Sequence, residues 1–182
     1  MKNNKNWIIK AFIITFILSM VFNGISNVII DKLNMVVAVL VLIMMIGIGI
    51  FFDMIGMAVA TCDEAPFHAK AAKKQKGAKE TVKLIRTKEK VSSICNDIVG
   101  DVSGIVSGSI SALLSVKIVT FLNMDVLYVS LLVGAIVASL TVGGKAIGKK
   151  IAIDNCVNIM EFVGKIVHVF SPVKQKENIK NK

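Results

Sequence analysis

Ionisable residues set inside long apolar segments constrain this chain most: Asp53, Asp97, Asp101 and Lys145 interrupt stretches otherwise suited to lipid. A charge at bilayer depth is costly and marks either a functional site or an internal ion pair. Four segments, Ala11–Ile30, Met35–Thr61, Val91–Val116 and Val126–Gly144, reach the roughly 18–25 residues that a membrane crossing needs. With 54% hydrophobic residues and a mean hydropathy of +0.72, the chain reads as an integral membrane protein. Backbone polar groups find no water in hydrocarbon, so each span must be helical. No alternation of polar and apolar residues supports strands, and the fold class is all-α.

The placement of charge sets the expected topology. Lysines gather at Lys2, Lys5 and Lys10, from Lys70 to Lys90, and from Lys149 to Lys182. The other two connections carry little beyond Asp31 and Lys32, and Lys117 and Asp125. The positive-inside rule then puts both termini and the long loop in the cytoplasm of a cell whose inner or plasma membrane holds the protein. A net charge of +10 placed this way is explained by anionic lipid and needs no nucleic acid. The basic N-terminus followed by an apolar run is similar to a signal peptide. Continuation of that run to Ile30, with Phe22-Asn23-Gly24 in place of a small-x-small site, argues for a retained span.

Residues 1–10 are a basic N-terminus, and residues 11–150 are the membrane domain, interrupted by a basic helical loop over 62–90. In that loop Pro66 suits a first helical turn and Gly77 a break between two helices. Ala78, Val82 and Ile85 recur at helical spacing beside Lys79, Lys83, Arg86 and Lys90, predicting a basic amphipathic helix on the lipid headgroups. A solvated helical hairpin is the alternative. Residues 151–171 should form a helix along the inner surface, ended by Pro172, with 172–182 as a disordered basic tail. Cys62, Cys95 and Cys156 are isolated and read as buried free thiols. His68 and His168 are too far apart in sequence to suggest a metal site.

The third span is rich in small residues. Gly100, Gly104, Gly108 and Ala112 repeat every fourth residue, as do Ser103, Ser107, Ser111 and Ser115. Such faces let membrane helices approach closely, within one bundle or across a homodimer. Asp97 and Asp101 stand one turn apart, which puts both carboxylates on one helical face. Asp97 lies about 9 Å into its span, a depth that Asp53 and Lys145 can share. Hard divalent cations need several oxygen ligands. Asp53, Asp97 and Asp101, with Asn96, Ser93 and Ser103, are the candidate ligands. The competing reading pairs the acids with Lys145, and with Lys117 for Asp101, as structural salt bridges.

The order of these elements resembles the membrane domain of the CNNM/CorC (CorB) magnesium and cobalt transport proteins. The residues that carry the resemblance are Phe51-Phe52-Asp53 to Thr61, Ala71–Lys90, the small-residue span from Ser92, and Gly144-Lys145-Ala146-Ile147-Gly148-Lys149-Lys150-Ile151-Ala152. It covers roughly residues 45–170. It implies Mg²⁺ or Co²⁺ transport, a homodimer, and binding of dehydrated Mg²⁺ through Ser, Asn and Glu oxygens and backbone carbonyls. The chain departs from the family pattern. Lys145 and Gly148 stand where Gly-Glu-x-x-Pro-Lys has its acid and proline, and Asp53, Met54, Ile55 and Gly56 replace Ser-x-Ser-Glu. Ile-Gly-Asn is echoed only by Asn96-Asp97-Ile98. No CBS pair follows before Lys182, so the family's nucleotide control is not expected in this polypeptide.

Two functions follow as expectations. One is a small divalent-cation transporter in which Lys145 is a counter-charge displaced by the ion. The other is a non-transporting scaffold or accessory subunit whose acids are neutralised by Lys145. A holin-like pore former fits the size but not the charged core. No enzyme is expected, because no catalytic triad, Cys/His pair, HExxH or phosphate-binding glycine loop occurs.

Overall fold

The computed structural model describes residues 2–170, and the expected tail over 172–182 lies outside them. It is all-α, with eight helices in chain order among the described residues. These are α1 (Lys2–Lys32), α2 (Met35–Thr61), α3 (Ala65–Ala72), α4 (Ala78–Arg86), α5 (Lys88–Ser93), α6 (Asp101–Leu122), α7 (Val126–Asp154) and α8 (Cys156–Phe170). A π-helical segment, Ile94–Gly100, joins α5 to α6. Four helical stretches are long and apolar enough to cross a membrane: Ile8–Ser26, Met35–Thr61, Lys88–Leu122 and Val126–Asp154.

Helices α2, α6 and α7 form the centre of the bundle. Ala38, Leu42 and Ile46 of α2 meet Val102, Val106, Ile110 and Leu114 of α6, with Val137 of α7 closing the cluster. The four-residue spacing on both helices keeps one stripe facing inward. Serines 103, 107, 111 and 115 are buried beside that stripe. Ser103, Ser107 and Ser115 donate to the carbonyls of Val99, Ser103 and Ser111 on their own helix, so these hydroxyls are satisfied locally and packed. Gly104 and Gly108 have open space beside them.

Helix α7 comes against α2 through glycines. A β-carbon at Gly144 would strike Ile50 Cδ1, and one at Gly148 would lie 3.2 Å from Ile50 Cγ2. Ala152, fully buried, continues the stripe. The short turns are at the far end. Asn123 adopts a left-handed conformation (φ 54°) after α6, and Asp125 accepts from Leu127 N–H at 2.8 Å to cap α7. Lys117 donates to the Leu33 carbonyl there at 2.8 Å, a full four turns from Asp101. The expected Lys117–Asp101 pair is therefore replaced by a clasp on the α1–α2 turn.

The remaining helices gather at the other end. Gly77, at φ 85°, separates α3 from α4. Ala78, Thr81, Val82 and Ile85 of α4 are buried, but against α8 and the end of α2 rather than on lipid. Protein takes the apolar face that the sequence assigns to the headgroups. The final helix begins at Cys156, not Ile151, because α7 continues to Asp154. Closest approach occurs where Thr81 Oγ1 donates to the carbonyls of Gly77 and Met160 at 3.0 and 3.1 Å. The Cys62 thiol is pushed up to about 12 by burial and then by a hydrogen bond with the Cys156 thiol. The two cysteines, isolated in sequence, both pack into the cluster where the end of α2 meets α8.

Ion pairs bind the outer layer. Lys70 Nζ lies 2.6 Å from Glu161 Oε2, and His168 Nδ1 lies 3.1 Å from Glu80 Oε1. Bonds from Lys70 and Lys165 hold Glu161 below the ordinary carboxylate value of 4.5. Burial acts to raise Glu80, but the His168 and backbone hydrogen bonds, with Lys83 nearby, outweigh it and lower the group.

Gly164→Ala is expected to destabilise the protein by about 1–3 kcal/mol, because its new β-carbon strikes Thr81 Oγ1 and approaches Gly77 O to 2.7 Å. Gly143→Ala, with open space around it, should leave the melting temperature in detergent unchanged or slightly higher. A depressed folded carboxylate contributes stability above its unfolded pKa and loses it as pH falls through the folded value. Melting temperature should therefore decline as pH drops below 4.5, and Glu161→Gln should remove part of that decline.

Candidate intramembrane charge site

Lys145 and Lys149 follow Gly144 and Gly148 by one residue each, so the glycines that admit α2 also set where the amines go. Asp53 is 4% exposed, and its Oδ2 lies 3.6 Å from Lys149 Nζ. Lys145 donates to Asp101 Oδ1 at 3.4 Å. The two pairs adjoin: a β-carbon at Gly100 would lie 3.6 Å from Lys145 Nζ and 3.7 Å from Asp53 Oδ1. Glycine at 100 leaves that gap open. Two carboxylates and two ammonium groups thus share one region, with no formal net charge.

One turn along α2 from Asp53, Gly56 receives the Asn96 side chain, whose Oδ1 would meet a β-carbon there. Asn96 Nδ2 donates to Ser92 Oγ at 3.3 Å, but its buried Oδ1 has no hydrogen-bond partner. Asp53 Oδ2 is buried without one as well; its Lys149 contact is an ion pair only. Unsatisfied buried acceptors are rare in folded proteins and call for a donor or a cation.

The structure divides the candidate ligands into two groups. Asp53 and Asp101 border the Lys145 and Lys149 region, and Asn96 reaches α2 at Gly56, one turn from Asp53. Asp97 does not join them: Ser93 donates to its Oδ2 at 2.8 Å, and the pair faces α1 across a crevice. Asp97 and Asp101 remain one turn apart, but their partners differ: Asp97 takes the Ser93 hydroxyl beside α1, and Asp101 takes Lys145 of α7. Ser103 donates inside its own helix, with its Cβ against Gly49. Among the described residues, no three His, Cys, Asp or Glu side chains converge to hold a metal. Sequence reasoning gave Lys149 no role in the site, although its spacing of four from Lys145 places both amines on one face of α7.

No family model, curated protein or solved structure matches the chain.

Lys149→Met should lower stability by about 1–3 kcal/mol, below the range for a fully buried pair because the lysine side chain is 47% exposed. Combining it with Asp53→Asn should cost less than the sum of the two single changes. A double-mutant cycle on melting in lipid–detergent micelles reads that coupling; a value of zero would remove the pair from the account.

Proposed function

We propose that this protein handles a divalent cation of the Mg²⁺ type at Asp53, with Lys145 and Lys149 as resident positive charges that an arriving ion displaces. The observation that carries this reading is the pair of buried oxygens, Asp53 Oδ2 and Asn96 Oδ1, with no hydrogen-bond partner. An oxygen-rich position in a dry environment suits a hard cation. Asp53 supplies the charged ligand, Asn96 a neutral oxygen one turn away, and Asp101 an acid at the outer edge.

The resemblance to CNNM/CorC membrane domains supports the same reading. Its three motif segments, Asp53–Gly56, Asn96–Ile98 and Gly144–Lys149, are distant in sequence yet approach one another around Gly56 and Gly100. Lys145 replaces an acid of that family, which lowers the affinity for a cation and makes lysine displacement part of any transport step. The start of α1, the basic loop and the end of α7 with Lys149 and Lys150 lie toward one end of the bundle, in keeping with a cytoplasmic location of all three. The open faces of Gly104 and Gly108 suit contact with a second copy.

A second reading has its own support in the paired distances of 3.4 and 3.6 Å. Here the lysines hold the cation position permanently, and the protein is a membrane scaffold or accessory subunit. Flux of Mg²⁺ into proteoliposomes separates the two. The transport reading expects flux above protein-free vesicles that falls at least about ten-fold, the equivalent of 1.4 kcal/mol, in Asp53→Asn. Absence of flux, with a melting temperature that Mg²⁺ does not raise, would establish the scaffold reading in its place.

A further inference from the structure

Helix α1 leaves a crevice of about 470 Å³ against the third span, bordered by Ile8, Phe12 and Phe16 on one side and Ser93, Asp97 and Ile98 on the other. Both walls belong to stretches long and apolar enough to cross a membrane, so the occupants within reach are lipids. Among the described residues, Asp97 is the one charged residue in the lining. Its Oδ2 accepts from Ser93, and it forms no ion pair among the described residues. Lys10 of α1, whose side chain is exposed, makes none with it. Among the described residues, Asp53 and Asp101 each have a lysine, whereas Asp97 has a hydroxyl.

We propose that this crevice binds an aminolipid of the bilayer, a phosphatidylethanolamine, with its ammonium on Asp97 and an acyl chain along Phe12 and Phe16. The volume falls within the range of small-molecule sites, which combine apolar walls with a few placed polar groups. An uncompensated carboxylate near the membrane boundary attracts a cation. A primary ammonium also donates hydrogen bonds, which a quaternary choline cannot. Lys90 precedes Asp97 by seven residues, about 10 Å along the helix, so the carboxylate lies below the basic rim and within reach of a headgroup. Above the crevice, Ser109 donates to Asn23 Oδ1 at 2.6 Å, which pins α1 to α6 while the lower half stays apart.

The test is native mass spectrometry of the full chain, released from micelles doped with dioleoyl-phosphatidylethanolamine, -phosphatidylcholine or -phosphatidylglycerol. The ethanolamine lipid should be retained on the order of ten-fold over the other two, the size of one charge-assisted hydrogen-bonded contact. Asp97→Asn should abolish that preference. Phe12→Ala should weaken retention, and Asp53→Asn should leave it unchanged, which separates this site from the cation site. Equal retention of the three lipids, or a preference that survives Asp97→Asn, would overturn the proposal. So would disulfide-linked dimers of an Ile8→Cys variant, which would put a second copy in the crevice.

Discussion

The approach of α7 to α2 through Gly144 and Gly148 governs the rest of the membrane structure. A β-carbon at either position would crowd the Ile50 side chain, so the glycines favour the close approach of the two helices. That proximity places Lys145 and Lys149 beside an aspartate that is almost wholly buried. An isolated carboxylate at this depth would be strongly unfavourable. The glycines therefore position the compensation that lets Asp53 persist. Gly56 and Gly100 extend the arrangement by making room for Asn96 and for the gap between Lys145 and Asp53.

Much of this architecture was legible in the sequence. Hydropathy alone identified four spans and their helical nature, because lipid offers the backbone no alternative. The basic loop was also legible as helical, with Gly77 at the break. Its packing was not: an apolar stripe such as Ala78–Val82–Ile85 looks the same whether lipid or another helix covers it. Only α8, arriving from some 80 residues later in the chain, decides between them. The Cys62–Cys156 contact was hidden for the same reason.

The site was read in part. Asp53, Asp101 and Lys145 were identified as charges needing one another, and the structure sets them around Gly100. Asp97 and Asp101 are one turn apart as the spacing requires, but α1 flanks the first and α7 the second, so they take different partners. Lys117 was offered to Asp101, yet it caps the opposite end of the bundle. Lys149 was missed because it looked like one more member of a basic surface cluster. In each case the missing information is depth or which helix packs alongside, which residue identity does not encode.

The central claim is that Asp53 sits inside the bundle in contact with lysine. Solid-state NMR on protein in lipid bilayers, labelled with ¹⁵N at lysine side chains and ¹³C at aspartate carboxyls, measures this directly. A dipolar contact between a lysine Nζ and the Asp53 carboxyl is expected, and it should disappear in Lys149→Met. An Asp53 carboxyl with no lysine nitrogen nearby, exchanging freely with water or lipid headgroups, would contradict it.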